Sequence, residues 1–285
     1  MAWKYAVFTV MCPEFDLEET ATLAASLGLD GLEWRATKKP QEPIKEISYW
    51  AGNRSTVDID NVDADLARAK EIADRHGLAM PILGTYMKCS DLEVVESAMR
   101  AAAAVDCPKL RVGPPGYDGS RSYQELFEEA VRDYENVAAL ASNYHVQACL
   151  EMHMGNITPS ASLAHRLVSR FNPADVGVIF DPGNMVVEGF ENYQMALEIL
   201  GPYLSHVHAK NCVWIKTGEE DAVAKWDWAM APVKHGQADW SAVVVALKKV
   251  GYDGWLSFED FSEGDTRTKL AHGLGYLKGL ETSVG

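Results

Sequence analysis

Cysteine is scarce in this 285-residue sequence, and no two cysteines form a CxxC pair. The five that occur are Cys12, Cys89, Cys107, Cys149 and Cys212. An odd number without paired spacing argues against a disulfide framework and against thiolate zinc ligands. It is typical of reduced thiols in a cytoplasmic protein.

Long apolar runs are also missing. The opening stretch MAWKYAVFTV is too short and too mixed for a signal peptide, and no later run approaches the length of a membrane span. We therefore expect a soluble cytoplasmic protein without a membrane partner.

Positive charge is in deficit, because 26 basic residues face 41 acidic ones and give a formal net charge of -15. Such a surface repels phosphate backbones at long range, so we expect no nucleic-acid partner. Hydrophobic residues make up 47% of the chain, which is ample for one large core.

What is present is a regular alternation of strand-like and helix-like patterns along the whole chain, which indicates a parallel sheet with crossover helices. The predicted strands cover residues 5–11, 31–36, 79–85, 108–113, 146–153, 176–181, 204–210 and 254–259. Eight such units predict a (β/α)₈ barrel that forms a single domain over residues 1–285. A doubly wound open sheet is the alternative, but the stretch TVMCPEF after the first strand is not the glycine-rich phosphate turn that it requires.

Two connections are longer than the loops usual in such folds, namely residues 37–60 and 211–238. Both would leave the C-terminal rim of the barrel, where barrel enzymes have their active sites. Both are rich in Trp and Lys. We expect their aromatic residues, among them Trp50, Trp226 and Trp228, to cap a pocket at this rim.

Four successive predicted strands end in a side chain that can bind a metal ion. These residues are Glu151, Asp181, His208 and Glu259. An aspartate at the end of an apolar strand is on its own more typical of a helix cap, but four such strand ends point to one site. Three carboxylates and one imidazole favour a single six-coordinate divalent ion, Mn²⁺, Mg²⁺ or Co²⁺, with Zn²⁺ still open.

Further polar side chains share the faces of these strand ends, because strand positions two apart point the same way. His153 lies beyond Glu151, and Lys210 lies beyond His208, so both are expected near substrate at the rim. A salt bridge to a rim acid is an equal expectation for Lys210. His206 lies deeper and is expected to be a hydrogen-bonded core histidine.

Six stretches form a recognisable set of motifs, namely GLDGLEWR, LEMH, FDPGN, HVHAKN, HGQADW and GYDGWLSFE. Through these motifs the sequence resembles, over nearly its whole length, the sugar phosphate isomerase/epimerase superfamily, the xylose isomerase-like TIM barrels. It implies one divalent metal ion held by Glu151, Asp181, His208 and Glu259. It also implies substrate contacts by Glu33 of the first motif, and by Asn184 and Trp214, which stand where the epimerases resembled have a histidine and an arginine.

A divalent ion between two glutamates suits proton transfer next to a carbonyl, because the ion stabilises the enediolate. The leading hypothesis is a sugar isomerase or epimerase in which Glu151 and Glu259 act as acid and base on a keto-sugar. A lyase, whether dehydratase, decarboxylase or β-eliminase, uses the same chemistry and is the alternative, with His153 as the acid for the leaving group.

Two further functions and the nature of the substrate remain open from the sequence. An apurinic endonuclease-like activity is less favoured, because the strand ends ILGTY and LRVGP lack the extra histidines of that multi-metal cluster. A non-catalytic sugar-binding protein would need the glutamates only as ligands. The acidic stretch EDFSEGDTR opposes a phosphate, which favours an unphosphorylated keto-sugar or a sugar acid. Arg54 and Arg111 could bind a phosphate from the other side of the rim, but a surface or packing role is favoured for each. A homo-oligomer is left open.

Overall fold

The structure is a computed structural model that describes residues 3–42 and 44–283. The predicted insertion 37–60 and the predicted domain 1–285 therefore each include residues outside the described part, namely 43 in the first and 1, 2, 43, 284 and 285 in the second. The strands are β1 (Lys4–Phe8), β2 (Gly31–Thr37), β3 (Thr56–Asp58), β4 (Leu83–Thr85), β5 (Lys109–Arg111), β6 (Gln147–Glu151), β7 (Val176–Phe180), β8 (Leu204–Ala209), β9 (Cys212–Glu220), β10 (Val223–Met230) and β11 (Trp255–Phe258). The helices are α1 (Leu17–Leu27), α2 (Val62–Arg75), α3 (Leu92–Ala104), α4 (Tyr123–Tyr144), α5 (Ala161–Val168), α6 (Pro182–Val187), α7 (Tyr193–Leu200), α8 (Trp240–Lys249) and α9 (Thr266–Ser283).

Eight parallel strands close into a barrel in the order β1-β11-β8-β7-β6-β5-β4-β2, and β1 also pairs with β2. This closure confirms the predicted (β/α)₈ barrel and rules out the open sheet. Strand β2 pairs with β1 through its first half and with β3 through its second half, so β3 extends the sheet at the rim. Parallel strands covered by helices are buried on both faces, which explains why β7 reads as an unbroken apolar run.

Helix starts follow the capping residues that the sequence offers. The side chains of Asp16, Ser122 and Asp239 each accept a backbone N–H in the first turn of α1, α4 and α8. Asn61 occupies the cap position of α2 but makes no capping bond. Its amide donates to Asp65 Oδ1 at 3.3 Å, and a 3₁₀ turn precedes the helix. No described helix has the length and apolar character to cross a membrane.

The third predicted strand, residues 79–85, begins too early in the chain. Strand β4 begins at Leu83 rather than at residue 79. Pro81 lies in the excess segment and has no N–H to donate to a neighbouring strand. Ala79 forms only an isolated bridge to Gly31.

The second insertion is not an irregular loop. It contains the antiparallel hairpin β9–β10, whose strands are mostly exposed. Its turn residues Asp221 and Ala222 have φ angles of 50° and 62°, the left-handed conformation that tight hairpin turns require. The sequence did not indicate a hairpin here because the turn lacks the usual Asn-Gly or Asp-Gly pair.

Candidate metal centre and active-site cavity

Asp181 is both a helix cap and a member of a polar cluster. It directly follows β7, and its Oδ1 accepts the backbone N–H of Asn184 at 2.9 Å to begin α6. The side chain is fully buried, and its second oxygen, Oδ2, lies 3.8 Å from His208 Nδ1. The two interpretations of this aspartate are therefore compatible, because each uses a different oxygen atom.

The four strand-end residues converge at the carboxyl end of the barrel. One possible ligand atom from each of Glu151, Asp181, His208 and Glu259 lies within 4.8 Å of the others, and all four side chains are buried. The Nδ1 atom of His208 is 3.1 Å from Glu151 Oε1 and 3.7 Å from Glu259 Oε2. Burial would lower the pKa of His208, but the charges of Glu33 and Glu151 raise it well above its ordinary value.

Glu33 holds the imidazole of His208 from below. Its Oε1 lies 3.2 Å from His208 Nε2, and its Oε2 lies 3.2 Å from His206 Nε2. Burial favours the neutral acid, but the two histidines outweigh it and lower the pKa of Glu33. A carboxylate at Nε2 leaves Nδ1 of His208 directed at the other three acids, an arrangement that commonly orients metal-ligating histidines. His206, also bonded to Ser257 Oγ at 2.8 Å, is buried as expected.

Two cations balance part of this negative charge. Arg111, at the end of β5, donates from Nη1 to Glu151 Oε2 and from Nε to Thr85 O at 2.6 Å. Burial would raise the pKa of Glu151, but Arg111 and then His208 hold it well below the ordinary range. Lys210 Nζ lies 2.9 Å from Glu259 Oε2 and 3.7 Å from an oxygen of Asp181.

Asp181 shows how crowded the acids are. Burial, and then the charges of Glu151 and Glu259, raise its pKa to about 7 although Lys210 opposes the shift. Asn184 relieves this repulsion by donating to Asp181 Oδ2 at 2.8 Å and to Glu151 Oε1 at 3.2 Å. Mutually repelling carboxylates beside an imidazole form a hard donor set, and the cluster could hold a divalent metal ion.

A cavity of about 530 Å³ lies above this cluster. Glu151 and Glu259 line it, and so do His153 and Lys210, the two residues expected at the rim. The residues that complete the lining are Trp50, Thr85, Tyr86, Met87, Lys88, Arg111, Gly113, Pro114, Met154, Gly155, Asn156, Trp228, Met230 and Phe261. Trp50 and Trp228 come from the two insertions, so each insertion contributes one indole to the wall.

Three residues expected to contact substrate do not line this cavity, and their positions differ from the expectation. Glu33 lies beneath His208, and Asn184 lies against the carboxylates, both fully buried. Trp214 turns away and donates from Nε1 to Val186 O at 2.7 Å, since β9 packs against α6. Trp226 is not part of the wall either and is 54% exposed.

The sequence did not single out Tyr86 and Lys88, which line the cavity, and it favoured a surface or packing role for Arg111. The ring of Tyr86 lies 4.4 Å from the guanidinium carbon of Arg111. The available signal was position, because all three residues lie at or just after the ends of β4 and β5.

Comparison with known proteins agrees with the fold. Residues 21–280 match the family described as xylose isomerase-like TIM barrel, and the chain belongs to that family. A solved D-psicose 3-epimerase from Clostridium cellulolyticum H10, with D-tagatose, aligns with a TM-score of 0.71 at 16% identity, over 98% of this chain and 99% of that one. A 3-keto-D-glucoside 4-epimerase from E. coli aligns with a TM-score of 0.71 at 16% identity, over 98% of this chain and 100% of that one.

Curated relatives match over shorter stretches. The inosose dehydratase of Serratia proteamaculans is 29% identical over 145 residues, which is 47% of this chain and 48% of that protein. The inosose dehydratase of Bacillus licheniformis is 23% identical over 191 residues, 65% of this chain and 61% of that protein. The chain thus spans about half the length of the first of these relatives.

Proposed function

We propose that this chain is a divalent-metal-dependent enzyme that transfers a proton at the carbon next to the carbonyl of a sugar-type substrate, as an isomerase or an epimerase. The family, the epimerases of similar fold and the dehydratases of similar sequence all support a sugar-modifying role. The metal would be held by Glu151, Asp181, His208 and Glu259, with Mn²⁺ favoured by the oxygen-rich donors.

The observation that carries the proposal is the arrangement of the two glutamates around one cavity. The strands β6, β7, β8 and β11 are consecutive neighbours in the barrel. Glu151 ends β6 and Glu259 follows β11, so the two glutamates occupy the outer positions of this arc and both line the cavity. A substrate bound over the arc would have one carboxylate on each side.

This placement suits removal of a proton by one glutamate and its return by the other. When bound, a divalent ion would supply Lewis-acid stabilisation of the enediolate oxygens. Arg111 keeps Glu151 ionised, and Lys210 donates to Glu259, so each glutamate is held in place by one cation. Trp50 and Trp228 line the cavity from the two insertions, where their rings could contact a bound sugar.

A lyase, in particular a dehydratase, is the second candidate because of His153. Its ring lines the cavity beside Glu151, and Nδ1 lies 2.6 Å from the carbonyl of Met154, so Nδ1 carries the proton, while Nε2 has no hydrogen bond to a described residue. Burial lowers the pKa of His153, which favours the neutral ring. To act on a leaving hydroxyl group, Nε2 of this neutral ring would first take up a proton, such as the one removed from the substrate carbon, and would then donate it so that water leaves. The curated dehydratases support this candidate.

Proton NMR in D₂O distinguishes the two. Chelator-treated protein is loaded with Mg²⁺, or with Mn²⁺ followed by removal of the ion before the spectra, and incubated with neutral ketoses, keto-acids and an inosose. Deuterium incorporation without loss of the carbon and oxygen framework supports the isomerase or epimerase. Loss of water or CO₂ supports the lyase.

The matched control is protein treated with chelator and not reloaded. No exchange by the loaded protein with any substrate of the panel contradicts both candidates. Exchange that is equal with and without metal contradicts the role of the ion.

A further inference from the structure

Acidic and basic side chains are unevenly distributed around the rim of the barrel. Three carboxylates lie at the ends of β6, β7 and β11 with Lys210 among them, whereas the neighbouring strands β5, β4 and β2 supply three further cations. These cations are Arg111 at the end of β5, Lys88 just after β4 and Arg35 in β2. Three cations therefore gather on one side of a site in a chain of net charge -15.

Lys88 has no acidic partner there. Its side chain lines the cavity, and Nζ donates to the carbonyl of Pro114 at 3.2 Å. Among residues 3–42 and 44–283, no carboxylate lies within 4.0 Å of this ammonium group. Lys88 is exposed at the rim, and partial burial, followed by the charge of Arg111, lowers its pKa, while Asp91 opposes this shift.

One nitrogen atom of the Arg111 guanidinium makes no hydrogen bond to a described residue. Nε and Nη1 are used by Thr85 and Glu151, while Nη2 has no hydrogen bond to any described residue. The guanidinium lies over the ring of Tyr86, which fixes its plane at the cavity wall. Arg111 and Lys88 both line the cavity, and the charge of Arg111 acts on the ammonium group of Lys88.

Arg35 adds positive charge behind Tyr86. It is 6% exposed and donates to Thr56 Oγ1 at 2.6 Å and to Trp50 O at 3.3 Å, both neutral. Its Nε has no partner, and no described carboxylate lies within 4.0 Å. Its guanidinium carbon is 5.5 Å from the Tyr86 ring. A buried, uncompensated guanidinium is costly, and a nearby anion would offset that cost.

We propose that the substrate carries an anionic group, a carboxylate or a phosphate ester, that binds between Lys88 and Nη2 of Arg111. This proposal rests on the proposed function and specifies its substrate class. Charge-assisted bonds from an ammonium and from a planar guanidinium are the usual way to hold such groups. The reacting carbons would then lie towards the three carboxylates at the ends of β6, β7 and β11, on the other side of the cavity.

Calorimetric titration of the Mg²⁺-loaded protein tests the proposal with three probes that share a ketose frame: D-fructose, 2-keto-D-gluconate and D-fructose 6-phosphate. We expect one of the two anions to bind at least about tenfold more tightly than D-fructose, the gain typical of a charge-assisted hydrogen bond. The tighter anion identifies the group as carboxylate or phosphate.

Variants locate the effect. Lys88→Met should weaken binding of that anion about tenfold relative to binding of D-fructose, while Lys88→Arg should restore most of the loss. A carboxylate that bound only through the metal ion would not respond to Lys88→Met. Lys70→Met, which removes a lysine paired with Asp74 on α2, changes the net charge equally and should have no effect. Circular dichroism verifies folding, and the wild-type comparison stands if a variant fails to fold.

The proposal is overturned if D-fructose binds the wild type as tightly as both anions, if neither anion binds, or if Lys88→Met leaves anion affinity unchanged. Its failure is separable from that of the proposed function. Metal-dependent deuterium exchange into D-fructose together with weak anion binding would support the proposed function and contradict the anion site. Tight, Lys88-dependent anion binding without exchange into any probe would support the anion site and contradict the proposed function.

Discussion

The ammonium group of Lys210 lies 2.9 Å from Glu259 Oε2, and both side chains are 3% exposed. The same Nζ atom is 3.7 Å from Asp181 Oδ2, so one lysine serves two buried acids. The acids raise the pKa of Lys210 despite its burial, and the lysine stays charged. Lys210 therefore supplies positive charge to the same cluster of acids that a divalent ion would neutralise.

Lys210→Met should destabilise the metal-free protein by about 3 kcal/mol, because it leaves buried acids without their cation. The same change should tighten metal binding, since it removes a positive charge next to the ion. Thermal denaturation with and without Mg²⁺ measures both effects, and the stabilisation by metal should be larger in the variant. A weaker response to metal than in the wild type would show that Lys210 supports the ion instead.

The protein should bind about one divalent ion per chain, and Asp181→Ala or His208→Ala should remove it. The reason is that both side chains are buried within the cluster and direct one atom at its centre. Elemental analysis after dialysis measures the occupancy. His235→Ala is the matched control, because His235 is exposed and lies outside the cluster. Full occupancy in both test variants would exclude a metal centre at these residues.

Glu33→Gln should weaken metal binding by about tenfold to a hundredfold, although Glu33 is not among the four ligands. Gln keeps the size of the side chain but removes the charge that holds Nε2 of His208 and Nε2 of His206. Competitive titration with a chromophoric chelator gives the affinity. An unchanged affinity would mean that packing alone orients His208.

Glu151→Gln and Glu259→Gln should each lower the rate by about 10² to 10⁴ even at saturating metal, if the glutamates transfer protons. A pure ligand would be rescued by added metal, because Gln keeps one oxygen donor. In a two-base epimerase, each variant would still exchange deuterium into the epimer that faces the remaining glutamate. Full turnover by either variant at high metal would mean that its glutamate is only a ligand.

Trp228→Ala should weaken substrate binding, whereas Trp226→Ala, two residues away on β10, should not. Trp228 lines the cavity, and Trp226 is 54% exposed outside it. The expectation that either residue caps the pocket is therefore narrowed to Trp228. Calorimetric titration of both variants, with metal content as a check, compares them directly. Equal losses of substrate affinity in the two variants would show that the whole hairpin affects binding, and that a position in the cavity wall does not determine the effect.

Much of the fold was predictable because its signals are local. Alternation of buried apolar runs with amphipathic helices depends on neighbouring residues, and it predicted the closed barrel. Where a local signal was weak, the prediction was wrong. Strand β4 was extended across Pro81, and the hairpin β9–β10 was missed because its turn, Asp221 and Ala222, lacks glycine.

The four candidate metal ligands could be predicted because each lies at the end of a predicted strand, namely β6, β7, β8 and β11. Parallel strands bring their carboxyl ends to one rim, whatever their side chains are. Which other residues reach that rim depended on strand order and on side-chain direction, which no single segment contains. Arg111 meets Glu151 only because β5 lies beside β6, and Glu33 reaches His208 across the barrel interior. Sequence alone thus determined the barrel and its four candidate ligands, whereas the tertiary structure decided which residues support them and which line the cavity. Periodicity is a local property of the chain, and contact across a closed sheet is not.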